Sequence, residues 1–220
     1  MKLETDYFET SKSARYSTYG ELSPATKYFW FGLHGSKMLC EQVLYKFKDF
    51  DSKEHFIVAP EALSRFYEKD FGGPVVASWM TKRDRLREIK DNGDYLSSLY
   101  QHFTSRLPKG CQTIVMAFSQ GGTIAFRWLH SHKIKVDFFL PYACWIPEDI
   151  DLTQSQTNLK TLKILFSYGT EDQFLTSERI QLIKHIIASK RIEMIHLPYA
   201  GDHRISKKQL KFIFEHYIRQ

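Results

Sequence analysis

Ser119 stands in the run Thr113-Ile-Val-Met-Ala-Phe-Ser119-Gln-Gly-Gly-Thr-Ile-Ala-Phe126, between an apolar stretch of strand character and one of helical spacing. Small residues flank it two positions before, at Ala117, and two positions after, at Gly121. A strand-to-helix turn of a single residue forces its serine into a strained backbone and thrusts the hydroxyl outward, and bulky flanking side chains would collide with the neighbouring strand and helix. Alanine in the first position adds one methyl to a crowded place without forbidding the turn. A serine between small residues also recurs by chance. The junction is what points to a nucleophile, because a structural serine there would more simply be a helix N-cap.

A serine hydroxyl needs a base to act as a nucleophile, and the base needs a carboxylate to orient it. In a strand-turn-helix architecture of this kind the chain order is serine, acid, histidine, each on a loop after a later strand. Gly169-Thr-Glu-Asp172 follows the apolar run Lys163–Tyr168, and Pro198-Tyr-Ala-Gly-Asp-His203 follows Glu193–Leu197, so Asp172 and His203 emerge on the same edge as Ser119. Glu171 competes as the acid, with Asp149 and Asp202 behind it, although Asp202 is too close along the chain to orient its neighbour easily. His130, His132, His185 and His216 fall on helices, His55 opens a strand, and His34 ends one. These read as structural or solvated. An oxyanion requires two N–H donors, one after the nucleophile and one from the loop after an earlier strand. Gln120 and Ser36, the latter in Leu33-His-Gly-Ser36, are the candidates.

These residues must be carried by a regular frame. Tyr28–Leu33, His55–Ala59, Thr113–Phe118, Val136–Tyr142, Lys163–Tyr168 and Glu193–Leu197 are short apolar runs of the kind buried on both faces of a parallel sheet. Met38–Lys48, Asp84–Arg106, Gly121–His132, Ser177–Ser189 and Ser206–Ile218 carry apolar residues at helical spacing. The alternation predicts an α/β fold: a mostly parallel sheet with helices on both faces, preceded by an antiparallel hairpin in residues 5–20. No linker divides the 220 residues, which reads as one domain. The irregular segments Pro60–Arg83 and Ala143–Asn158 follow strands, where open α/β sheets bind ligands. They put Trp79, Trp145, Phe66 and Met80 forward as substrate contacts, with a plug in the core as the alternative for both tryptophans.

Thirty-one Lys and Arg against 25 Asp and Glu give +6, but the charges are mixed along the chain and lack the basic-aromatic interleaving of a nucleic-acid surface. No apolar run approaches a membrane span, and the first residues lack an apolar leader core. Three cysteines, an odd number without a Cys-x-x-Cys pair, suit a reducing cytoplasm, and no metal-ligand spacing occurs.

Five segments taken in order, Leu33-His-Gly35, Phe118-Ser-Gln-Gly-Gly122, Cys144-Trp-Ile-Pro147, Gly169-Thr-Glu-Asp172 and Gly201-Asp-His203, resemble the phospholipase/carboxylesterase family of α/β-hydrolases, which includes the acyl-protein thioesterases. The resemblance spans about residues 28–218 and implies an α/β-hydrolase fold with a catalytic triad of Ser119, Asp172 and His203. It implies hydrolysis of carboxylic esters or thioesters on small-molecule substrates, without metal or organic cofactor, and it places Trp145 near the substrate. Two departures stand out: Ser36-Lys-Met38 replaces the family's glycine-rich continuation after His-Gly, and Ala117 replaces the first elbow glycine. A non-catalytic binding protein on the same fold, or a small serine peptidase, are the rival functions.

Overall fold

Strand β2 (Tyr28–Leu33) shows how the sheet is built, because its side chains are buried on both faces. Trp30 points to one face, against Phe47, Phe50 and Phe214, while its neighbour Phe31 meets Tyr100 and Trp128 on the other. Strand alternation thus feeds two aromatic-rich layers from one run of sequence. The computed structural model describes residues 3–150, 159 and 162–219; the part of the segment 143–158 beyond residue 150 lies outside them.

The remaining strands are β1 (Tyr16–Tyr19), β3 (His55–Pro60), β4 (Ser64–Tyr67), β5 (Val75–Ser78), β6 (Gln112–Phe118), β7 (Phe138–Tyr142), β8 (Lys163–Gly169) and β9 (Met194–Tyr199). Seven form one sheet in the order β1-β3-β2-β6-β7-β8-β9. All neighbours are parallel except β1 and β3. The antiparallel N-terminal element expected in residues 5–20 is present, its strand being Tyr16–Tyr19 and its partner β3 rather than a second strand within 5–20. Helices α1 (Cys40–Leu44), α2 (Arg85–Thr104), α3 (Gln120–Ser131), α4 (Ser177–Ser189) and α5 (Lys207–Ile213) alternate with the strands. Among the described residues, no helix is long and apolar enough to cross a membrane.

The segment 60–83, expected to be irregular, instead contains β4 and β5, an antiparallel pair standing apart from the main sheet. The turn between them closes with Gly73 N–H donating to the Asp70 carbonyl at 2.8 Å. β5 reaches back to the loop after β2, where Lys37 N–H donates to the Ala77 carbonyl at 2.9 Å and Ala77 N–H donates to the Met38 carbonyl at 3.2 Å.

His55 lies in the aromatic layer of Tyr28, Trp30, Phe50 and Phe214. Burial depresses its pKa to about 4. Its Nδ1 accepts from the Trp30 indole N–H at 3.0 Å, a bond that the protonated ring could not accept. The folded-state value lies below the unfolded one, so a falling pH protonates the unfolded chain first, and stability is lost between about pH 6.5 and 4. The loss from His55 amounts to roughly 3 kcal/mol. Burial lowers the pKa of His34 and His196 as well, which adds in the same direction. Urea unfolding at steps from pH 7 to 4.5 should show this decline, and a shallower decline in His55→Asn should isolate the His55 share; identical slopes would contradict the assignment.

Candidate active site

Ser119 occupies the turn between β6 and α3 at φ 52° and ψ −121°, a left-handed backbone that costs a non-glycine residue on the order of 1–3 kcal/mol. Its N–H donates to the Tyr142 carbonyl at 2.9 Å, fixing the turn to the adjacent strand β7. α3 then packs so closely on the end of β2 that a Cβ at Gly121 would lie 2.4 Å from the His34 carbonyl oxygen. Only glycine permits that approach. At Ala117, by contrast, the methyl fits between Leu33 and Pro141 in the paired strands.

The acid and histidine loops meet where a Cβ on Gly169 would come within 2.1 Å of the Gly201 carbonyl. Thr170 N–H donates to the Tyr199 carbonyl and Glu171 N–H to the Gly201 carbonyl, each at 2.9 Å, so the loops after β8 and β9 are laced together. His203 Nδ1 consequently lies 2.6 Å from Asp172 Oδ2, and its Nε2 lies 3.0 Å from Ser119 Oγ. The other Asp172 oxygen accepts from the N–H groups of Phe174 at 2.7 Å and Leu175 at 3.1 Å. Its side chain is fully buried, while that of Glu171 is exposed. The other acids are committed elsewhere: Asp202 to Arg204 at 3.0 Å, and Asp149 to Arg127 and Arg85. Phe118 and Phe174 sit against the imidazole at centroid distances of 4.9 and 4.8 Å, shielding it from water.

Gln120 opens α3, so its backbone N–H has no acceptor within the helix, and the residue lines the cavity beside Ser119. Its side chain is held in place by β5: Oε1 accepts from Trp79 N–H at 3.0 Å and from the Ser78 hydroxyl at 3.2 Å, and Nε2 donates to the Met80 carbonyl at 2.8 Å. Ser36 is exposed in the neighbouring loop, the one bridged to Ala77, and also lines the cavity. Lys37 beside it stands at φ 59°, in the region where glycine would be less strained. Together these residues border a cavity of about 780 Å³ with walls from Phe118, Ala143, Trp145, Phe174 and Leu175. A hollow of about 890 Å³ lies at the other end of the sheet, beside Thr113 and Asp137, and holds none of the residues proposed from the sequence.

Of the four expected substrate contacts, only Trp145 lines this cavity. It is half-buried, with its carbonyl pinned by the Thr123 hydroxyl at 3.0 Å. Trp79 is fully buried instead, its indole N–H donating to the His34 carbonyl at 2.7 Å and its ring lying against that of His34. The β4–β5 pair turns Trp79 inward, where it supports the loop leading to Ser36. Met80 contributes its carbonyl to Gln120, and Phe66 is exposed on β4 away from the cavity lining. Sequence reasoning did not single out Phe174 or Arg179, although both lie within seven residues of Asp172 on the segment that carries it. His34 accepts from Ala62 N–H at 3.0 Å and is fully buried, as a structural histidine would be.

Among the described residues, Cys40, Glu41 and Glu61 bring three potential metal-ligand atoms within 4.8 Å of one another. Arg15 already pairs with both carboxylates, and burial pushes the Cys40 thiol up to about 12, leaving it protonated. The donor set therefore suits an ion pair better than a divalent cation.

The profile of the phospholipase/carboxylesterase family matches residues 46–219. No curated protein sequence matches the chain. Among solved structures, maize acyl-protein thioesterase 2 superposes with a TM-score of 0.70 at 14% identity, over 92% of this chain and 97% of that one. Arabidopsis thaliana SOBER1 gives 0.62 at 20% identity, over 85% and 95%. The Bacillus cereus carboxylesterase gives 0.64 at 13% identity, over 92% of each chain. With the family profile spanning most of the sequence and the sheet order in place, the chain belongs to the phospholipase/carboxylesterase family of α/β-hydrolases, as an esterase- or thioesterase-type hydrolase.

Proposed function

We propose that the protein is a serine hydrolase that cleaves small carboxylic esters or thioesters through an acyl-enzyme on Ser119. The observation that carries this reading is the unbroken line from Ser119 Oγ through His203 to Asp172, with contacts of 3.0 and 2.6 Å, at the edge of a cavity. His203 Nε2 takes the serine proton as Oγ attacks the acyl carbon, then returns it to the departing oxygen or sulfur. Asp172 holds Nδ1–H and stabilises the imidazolium. Its own bonds from Phe174 and Leu175 N–H keep it in register. The Gln120 and Ser36 N–H groups receive the oxyanion, and water, activated by His203, releases the acid. The three cysteines are free thiols, which suits the reducing cytoplasm in which we place the enzyme.

Ser119→Ala should lower kcat for p-nitrophenyl esters by roughly 10³-fold or more with an unchanged unfolding midpoint. Asp172→Asn should lower it by about 10³–10⁴-fold by favouring the wrong imidazole tautomer, whereas Glu171→Gln should change it little. Near-normal activity in the serine variant would refute the reading, and the reverse ranking of the two acids would reassign that role. Activity on esters with none on peptide substrates would set the protein apart from a peptidase.

Trp145 closes one wall of the cavity, so it should limit the acyl chain. In a p-nitrophenyl ester series, Trp145→Ala should move the optimum to longer chains, each enclosed methylene contributing up to about 0.8 kcal/mol. Trp79→Ala should instead lower stability by about 3–5 kcal/mol, without that shift in chain-length preference. A chain-length profile unchanged by Trp145→Ala would remove this residue from the acyl site.

A further inference from the structure

The cavity rim carries charge of one sign. Lys37 and Arg179 both line it, and among the described residues no carboxylate does. Asp172 stands behind His203 with its side chain fully buried. Arg179 is exposed in the first turn of α4, where the helix dipole disfavours a cation. Its guanidinium is folded back so that one N–H donates to the Phe174 carbonyl at 2.7 Å. No carboxylate among the described residues pairs with it. A guanidinium has five N–H donors, and anchoring one leaves the others to grip an oxyanion in bidentate fashion. Lys37, on the other lip, reaches Glu68 at 3.4 Å. Both partners are largely in solvent, so that pair is weak and can yield its lysine to a ligand.

The position of Arg179 also says which half of the substrate it meets. Phe174, the residue it anchors to, packs edge-on against His203 at 4.8 Å. The histidine returns its proton to the leaving atom, so the leaving group departs along this flank. Resting on the hydrolase reading above, we propose that the preferred substrates are esters or thioesters whose leaving group carries an oxyanion, carboxylate or phosphate, and that Arg179 is the residue that selects them. As the acyl C–O or C–S bond breaks, the His203 proton passes to the departing atom and the leaving group exits as an anionic alcohol or thiol. Water then transfers the acyl group from Ser119 as the free acid. The net positive charge of the chain, +6, favours the approach of such substrates.

The test compares kcat/KM for butyryl thioesters of mercaptopropionate, its methyl ester, mercaptoethyl phosphate and thiocholine, at low ionic strength. The anionic thioesters should exceed the neutral one by about fivefold or more, and the cationic one should be the poorest. The anionic-to-neutral ratio should fall to about one in Arg179→Gln, be partly kept in Arg179→Lys, and shrink in about 0.5 M NaCl. Using the ratio within each variant cancels any general loss of activity. The carboxylate and phosphate arms show which oxyanion is favoured. A ratio near one in the wild type, or a preference that survives Arg179→Gln, would overturn the proposal, as would an equal preference for a charge placed on the acyl side, read with p-nitrophenyl hemiglutarate against its methyl ester. Absence of turnover on every thioester and on both p-nitrophenyl esters would instead count against the hydrolase reading itself.

Discussion

The backbone at Ser119 is the constraint from which the rest of the site follows. A left-handed serine is unfavourable by itself, and it persists because β6, β7 and α3 over-determine it. The strand delivers the chain at a fixed height, the Tyr142 carbonyl takes the serine N–H, and α3 is locked against β2 through the bare face of Gly121. The same docking leaves the first N–H of α3 without a helical acceptor and brings it beside the loop that follows β2. One turn thereby sets the hydroxyl and both candidate oxyanion donors relative to one another, with no further ordering needed on substrate binding.

That arrangement is held from outside by a polar clamp. The Gln120 side chain meets three groups of the segment 78–80, and Trp79 beneath them fixes the His34 carbonyl. The loop carrying Ser36 is bridged to the same strand through Ala77. A short accessory pair, β4–β5, thus braces both Gln120 and the loop that carries Ser36. This explains how Lys37 can occupy a left-handed conformation where a glycine-rich loop would be less strained: two backbone bonds to β5 offset the strain.

The second half of the site depends on one short segment. Residues 172–179 supply the buried carboxylate, the N–H groups that hold it, the ring that covers His203, and the guanidinium at the rim. Burial strengthens the Asp172–His203 contact, because little water competes for either partner. The segment can play all these parts because Gly169 and Gly201 pass each other at backbone contact, which seats it against the histidine loop. Charge and shape at the cavity rim are coupled there to the orientation of His203.

Features carried by neighbours in sequence are legible in the amino-acid order alone. The strand-serine-helix junction, the serine-acid-histidine order and the alternating apolar runs each follow from local sterics and periodicity, and they are enough to single out Ser119, His203 and the loop that holds Glu171 and Asp172. Glu171 against Asp172 cannot be settled locally, since adjacent residues have equal claims until the packing of β8 on β9 buries one and exposes the other. Trp79 and Trp145 look alike as aromatic residues in loops after strands. Their fates diverge because the β4–β5 pair turns one under the His34 carbonyl while Thr123 pins the other at the cavity wall. The Gln120 clamp and the place of Arg179 at the rim are likewise decided by contacts between segments distant in sequence. Apolar periodicity tells which face of an element is buried, but only the assembled sheet tells which partner buries it.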